Sequence, residues 1–291
     1  MIMNRLTMLA VTLMASMACF AQGNAKMTTS LLNQPHSVGD IVDLYELRYY
    51  IVADNGGNCL ELEVIGFASD ITGTVSSVYT TTPGDPTKVR DEYNGILEIP
   101  STYPAEEVGV KCYVSSIAAN AFTATTCRGD DAKYKLKFAD AAALVNKIRI
   151  DYSDEFPDAI TIDNNAFGSL TGVTEVENLT PGAKISDISE NSFTTAVYKK
   201  PLTVPTENMG KYATKTGWKN FEKIQDGTGH LLGNLNTDTK ITTADLSLLV
   251  NAVIEENIKP TNSLFPYYNM NGDSKITTAD ISILVDILNR D

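Results

Sequence analysis

From Val42 onward, apolar and polar residues alternate with a period of two. Leu44-Tyr45-Glu46-Leu47-Arg48-Tyr49-Tyr50-Ile51-Val52 and Leu60-Glu61-Leu62-Glu63-Val64-Ile65 are rich in aromatic and branched residues and each predict a strand. Asn55-Gly56-Gly57 between them is a turn signal, so the pair predicts a β-hairpin. Ile96-Leu97-Glu98-Ile99-Pro100 and Lys147-Ile148-Arg149-Ile150 predict further short strands. Thr81 to Asp91 contains Pro83, Gly84 and Pro86 and predicts an exposed loop.

A degenerate repeat overlies this pattern. Ile117-Ala118-Ala119-Asn120-Ala121-Phe122 recurs as Ile162-Asp163-Asn164-Asn165-Ala166-Phe167 and as Ile188-Ser189-Glu190-Asn191-Ser192-Phe193. The phenylalanines are 45 and then 26 residues apart, which predicts one more degenerate unit inside the first interval. Each unit offers an aliphatic and a Phe for a stacked core, with Asn to bond backbone groups at the bend. Leu202-Thr203-Val204-Pro205, Tyr212 and Gly217-Trp218-Lys219-Asn220-Phe221 look like a closing unit. With Gly95-Ile96-Leu97-Glu98-Ile99-Pro100-Ser101 ahead of the first unit, residues 42–225 resemble the BspA-like leucine-rich-repeat surface proteins of bacteria. That resemblance implies a β-rich solenoid that binds a glycan, a host protein or matrix. Asp226-Gly227-Thr228-Gly229 opens an expected linker, 226–231.

The last sixty residues have a different pattern. Asn234-Leu235-Asn236-Thr237-Asp238-Thr239-Lys240-Ile241-Thr242-Thr243-Ala244-Asp245 aligns with Asn269-Met270-Asn271-Gly272-Asp273-Ser274-Lys275-Ile276-Thr277-Thr278-Ala279-Asp280 at an offset of 35 residues. An apolar helical run follows each. The spacing is that of a twelve-residue calcium loop, with oxygen donors at positions 1, 3 and 5, a carbonyl at 7 and a carboxylate at 12. Calcium takes six to eight oxygen ligands, which short Asp and Asn side chains at alternate positions can supply without crowding. The first loop offers Asn234, Asn236, Asp238, the carbonyl of Lys240 and Asp245. The second offers Asn269, Asn271, Asp273, the carbonyl of Lys275 and Asp280. Two calcium ions are therefore expected. Thr242 and Thr277 at position 9 are candidates to hold a water, and Ile241 and Ile276 at position 8 are expected to pack the loops together. Asn at position 1, with Thr239 and Ser274 where Gly is usual, predicts weak sites. The competing reading is a pair of Asx-rich turns that cap helices, and the verbatim repetition of Lys-Ile-Thr-Thr-Ala-Asp argues against it.

Asp at position 12, and a loop with no helix before it, make 232–291 resemble a type I dockerin. The resemblance implies that calcium folds the module and that its partner is a cohesin-type domain on another protein. It places the contact residues at Thr243, Ala244, Val250 and Asn251, and at Thr278, Ala279, Val285 and Asp286, with either half able to present them. The chain is thus expected to be of mixed class. A β-rich leucine-rich-repeat solenoid with an N-terminal hairpin is followed by a small α-helical dockerin of paired EF-hand-like loop–helix motifs.

Composition narrows the function. The net charge of −13 suits a solvated extracellular protein and argues against nucleic acid, which is bound by cations. Arg5, the apolar run Leu6 to Met17 and Ala18-Cys19-Phe20-Ala21 predict a signal peptide over 1–21, followed by a loose segment over 22–41. Cleavage before Cys19, with lipidation, is the other processing route. No later stretch is apolar and long enough to span a bilayer. Export leaves open the pairing of Cys59, Cys112 and Cys127, and a Cys112–Cys127 bridge is one candidate. His36 and His230 fall in no triad or zinc pattern. The carboxylate pairs Glu106-Glu107 and Asp154-Glu155 are neighbours in sequence, whose side chains usually diverge. The expectation is a non-catalytic, secreted or cell-surface protein of a Gram-negative-type bacterium, active in adhesion or polysaccharide utilisation. The alternatives are a calcium module that only clamps the fold, and a component of a carbohydrate-active enzyme.

Overall fold

The computed structural model describes residues 37–44, 47–56, 59–67, 96–103, 105, 109–123, 142, 145–156 and 159–290. The expectations for the signal peptide, Cys19, His36, the loop 81–91, Glu106-Glu107 and Cys127 lie outside these residues.

Alternation of apolar and polar side chains builds two sheets. In the first, β1 (Ile41–Leu44), β2 (Leu47–Asp54) and β3 (Cys59–Phe67) pair antiparallel in succession. The strand β6 (Lys111–Ile117) then joins β3 in parallel. Its other neighbours are the antiparallel β5 (Thr102–Tyr103) and the parallel β8 (Thr161–Ile162). The second sheet is parallel throughout, in the order β11 (Lys223–Gln225), β10 (Pro201–Thr203), β9 (Glu175–Asn178), β7 (Lys147–Ile150), β4 (Ile96–Ile99). Inward residues of both, such as Leu62, Val64, Leu97, Ile148, Val176 and Leu202, are fully buried and share one core. Each such side chain contributes roughly 1.5–3 kcal/mol by leaving water.

The Ile-Asn-Phe units stack on one another. Phe122 and Phe167 lie 5.3 Å apart and nearly parallel, and Phe167 and Phe193 lie 4.9 Å apart. Asn120 and Asn165 both take left-handed backbone at φ 58°, and Asn165 Nδ2 donates to Asn120 Oδ1 at 2.7 Å. Asn tolerates this region better than other non-glycine residues because its side chain can bond locally.

The architecture corrects the expected fold class. The chain is a mixed α/β fold of two sheets, one mixed and one parallel, and not a leucine-rich-repeat solenoid carrying a separate hairpin. The β2–β3 pair is an integral part of the mixed sheet, because β3 uses its second edge to bind β6. Strands run from nine residues in β3 to two in β5 and β8, so there is no regular coil. Phe122 and Phe167 stack directly, and β7, which lies between them in sequence, pairs in the other sheet.

Helical content is modest. Three helices are short: α1 (Thr195–Tyr198), α2 (Met209–Thr214) and α4 (Phe265–Tyr268). Among the described residues only α3 (Thr243–Glu255) and α5 (Thr278–Leu288) are longer, and they pack on each other. Among the described residues no helix is long and apolar enough to cross a membrane. A 3-10 turn at Trp218–Asn220 closes the parallel sheet's end, where Trp218 and Tyr212 are buried and Tyr212 Oη donates to Thr180 O at 2.9 Å.

The core does not stop at residue 225. Leu232, Leu235, Leu249, Met270 and Leu284 belong to the same cluster as Met209, Tyr212 and Phe221. The segment 226–231 is a tight turn closed by the Gln225–Leu231 bridge.

Candidate metal centre

The two loops have nearly the same internal geometry. In the first, Asn236 Oδ1 accepts from Asp238 N at 3.0 Å, Asn236 Nδ2 donates to Asp238 Oδ2 at 2.8 Å, and Asp238 Oδ1 accepts from Lys240 N at 2.7 Å. In the second, Asn271 and Asp273 repeat the pattern at 2.9 and 2.8 Å, and Lys275 N donates to Asp273 Oδ1 at 2.6 Å. These are Asx turns, which use short side chains to mimic a backbone bend.

The carboxylates at position 12 tie each loop to the helix that follows it. Asp245 is fully buried. Its Oδ1 accepts from Leu235 N and Asn236 N at 2.7 and 3.1 Å, and its Oδ2 from Thr242 N at 2.8 Å. Asp280 accepts from Asn271 N at 3.2 Å and from Thr277 N at 2.7 Å. Burial raises the pKa of the Asp280 carboxyl, opposed by the backbone N–H groups it accepts from. Thr242 and Thr277, expected to hold a water, serve as N-caps that accept from Ala244 N and Ala279 N at 3.2 Å, each in a full capping box. The Thr-x-x-Asp spacing was the signal for this role.

The residues at position 1 stand apart. Asn234 and Asn269 are 5% and 7% exposed. Each donates through Nδ2 to a backbone carbonyl of its own loop, that of Asp238 or of Asp273. Their Oδ1 atoms are buried and have no hydrogen-bond partner. Leaving a buried acceptor unmade costs roughly 1–3 kcal/mol, and here it happens twice at equivalent positions. Turns that only capped helices would have no use for such an oxygen, whereas a hard cation would satisfy it. The donor set therefore fits calcium: Asn234, Asn236, Asp238, the Lys240 carbonyl and Asp245, then Asn269, Asn271, Asp273, the Lys275 carbonyl and Asp280. Among the described residues no group of three His, Cys, Asp or Glu side chains could hold a metal. Each loop has two carboxylates, and its other donors are amide and carbonyl oxygens.

Position 6, where glycine was missed, does not need it. The left-handed residue sits at position 4, as Thr237 at φ 61° and Gly272 at φ 65°. Gly272 meets that demand without strain, and Thr237 meets it with a β-branched side chain.

The resemblance-derived contact residues divide by exposure. Thr243, Ala244, Asn251, Thr278, Ala279 and Asp286 are exposed, and Val250 and Val285 are half-buried. Leu248 and Ile254 on α3, at 36% and 74% exposure, were not among the expected contacts. Their spacing with Ala244 and Asn251 was the helical signal for a shared face.

The junction with the rest of the chain rests on Asp226, Tyr267 and His230. Asp226 Oδ1 accepts from Thr228 N, Thr228 Oγ1 and His230 N at 2.8, 2.6 and 3.1 Å. Its Oδ2 accepts from Tyr267 Oη at 2.8 Å. Burial pushes the Asp226 carboxyl upward, but the bonds from Thr228, Tyr267 and His230 outweigh it and hold the group below its ordinary value. Burial, then the bond to Asp226 and its charge, push Tyr267 up to about 12. The His230 ring stacks on Tyr267 at 3.9 Å, and its Nε2–H donates to Asn234 O at 2.7 Å. No sequence signal marked Asp226 or Tyr267.

The mixed sheet bears a separate depression of 360 Å³, lined by Asn55, Cys59, Glu61, Tyr113, Ser115 and Phe156. Tyr113 stacks on Phe156 at 4.2 Å, donates to Glu61 at 2.7 Å and accepts from Asn55 Nδ2 at 2.7 Å. Glu155 pairs with Lys111 at 2.8 Å. Cys59 and Cys112 are free thiols, and burial raises that of Cys112 to about 12. No protein-family model, curated protein or solved structure matches this chain.

Proposed function

We propose that this is a secreted, non-catalytic binding protein whose C-terminal module takes up two calcium ions and docks to a cohesin-type domain of another protein. The observation that carries the reading is the pair of buried, unpartnered amide oxygens of Asn234 and Asn269 at the first position of two matching loops. The exposed face of α3, with Ala244, Leu248, Asn251 and Ile254, supports a docking role. A glycan or host-protein ligand belongs to the β-rich body. The depression at Tyr113 and Phe156 supports that assignment, because an aromatic wall beside amide and carboxylate groups suits a polyhydroxyl ligand.

A metal bound at these loops supplies charge neutralisation and cross-linking, not a reacting centre. The chain's own groups do the rest. Asp245 and Asp280 join loop to helix, and the Asx turns of Asn236, Asp238, Asn271 and Asp273 pre-shape the donor positions. The test is calcium titration of the full chain by calorimetry, with circular dichroism alongside. Two ions bound with a gain in helix supports the reading. No heat and no change up to millimolar calcium would sink it.

A second reading, in which the module only clamps the fold, is favoured by the continuous core and by the bonds around Asp226. Capture of a cohesin-bearing protein from the source organism only when calcium is present separates docking from clamping.

A further inference from the structure

The two loop–helix units match in sequence but not in surroundings. The second is seated on the body. Gly210 of α2 lies so close to the second loop that a Cβ on it would sit 2.9 Å from Gly272 Cα, and closer still to Asn269 O and Gly272 N. A Cβ on Gly272 would in turn meet Lys211 N at 2.5 Å. Two glycines thus allow backbone to touch backbone at positions 1 and 4 of the loop. Arg290, just beyond α5, donates to Lys219 O at 2.8 Å. Ile283 and Ile287 of α5 line a seam with Ala213, Phe221 and Ile224 of the body.

The first unit is placed otherwise. Thr237, the counterpart of Gly272, is exposed. Leu248, the counterpart of Ile283, is 36% exposed, and Ile254 is 74% exposed. The first loop meets the body through side chains: Ile241 lines the same seam with Ala213, Phe221 and Ile224, and the His230 ring donates to Asn234 O.

We propose that the two calcium sites have different jobs: the second loop anchors the module to the body, and the first shapes the free helix α3. This rests on the calcium reading above. A cation held by Asn269 and Asp273 fixes the backbone that Gly210 and Lys211 abut, so its binding is felt in the body. A cation held by Asn234 and Asp238 fixes a loop that meets the body through side chains, without the Gly210–Gly272 backbone contact of the second. Of the α5 positions that mirror the exposed face of α3, Ile283 is taken up in the seam with the body while Ala279 and Asp286 stay exposed, so the apolar centre of that face is offered by α3 alone.

Trp218 is the only tryptophan and is buried in the body, so its fluorescence reports the body's unfolding. Thermal unfolding of the full chain is followed at Trp218, without calcium and with calcium a hundredfold above its Kd. Calcium is expected to raise the wild-type midpoint by roughly 5–10 °C. Asp273→Ala loses that shift, and Asp238→Ala keeps most of it. Gly210→Ala alters no metal donor; it still binds two ions by calorimetry yet loses the shift. Equal losses in Asp238→Ala and Asp273→Ala, or a full shift in Gly210→Ala, overturn the division while the calcium reading stands. Should Gly210→Ala not fold, the two aspartate variants decide. A wild type that binds no calcium overturns both readings.

Discussion

Thr237 and Gly272 hold the same place in their loops and the same left-handed backbone, but only one suits it. A non-glycine residue there costs roughly 1–2 kcal/mol, and a β-branched one crowds its own carbonyl most. Thr237→Gly is therefore expected to stabilise the chain by about 1 kcal/mol, read as a higher urea midpoint with an unchanged slope. Glu256 poses a similar case at the end of α3, with φ 48°. Its exposed pair with Lys259 at 3.7 Å is worth little. Position 1 offers a sharper contrast. Asn234→Asp and Asn269→Asp add charge to a calcium donor set, so each should tighten calcium by roughly tenfold in calorimetry, since ligand charge tunes such sites. Without calcium the same variants bury a carboxylate and should melt lower than wild type. If both tighten nothing, these oxygens are not ligands.

At the scale of elements, the Phe122–Phe167–Phe193 stack joins the three units more directly than their strands do. Phe167 is wholly buried between the other two rings. Phe167→Ala should cost about 3–5 kcal/mol, and Phe167→Leu much less, in equilibrium denaturation. The repeat hexamers were legible because each supplies an aliphatic, an Asn and a Phe, with the Asn left-handed in the first two. Their assembly was not. The interval of 45 residues suggested a hidden unit, yet among its described residues β7 joins the other sheet, and Phe167 stacks directly on Phe122. The two loops were legible as a pair, because the duplicated Asn-Asp spacing sets the same Asx-turn bonds in each. The same residues also form two capping boxes, Thr242 with Asp245 and Thr277 with Asp280, so the helix-capping part of the competing reading is present beside the loops.

Across the whole molecule, the junction at Asp226 and Tyr267 is expected to respond to pH at both ends. Asp226 has a folded pKa below its ordinary 3.8, so its contribution is complete above that value and is lost as pH falls through the folded one. Tyr267 has a folded pKa of about 12, above its ordinary 10.0. Its contribution is complete below pH 10 and is lost as pH rises through about 12. Tyr267→Phe removes a bond to a charged acceptor, which should cost about 1.5–3 kcal/mol at neutral pH. It should also flatten the stability profile between pH 10 and 12, as measured by urea denaturation across that range. An unchanged alkaline limb would mean that the bond does not hold the junction.

By itself the sequence determined what is local. Alternation set which strand faces are apolar, the hexamers set the Asn turns and Phe rungs, and the duplicated Asn-Asp spacing set two candidate calcium loops with a helix after each. Only the tertiary structure decided which edges pair, and so made a mixed and a parallel sheet where a solenoid was expected. Edge choice depends on residues far apart in the chain, and no local pattern encodes it. The same holds for the two halves of the C-terminal module. Their sequences are nearly interchangeable, and they differ because Gly210 and Lys211 bring body backbone against the second loop, whereas the first meets the body through Ile241 and His230.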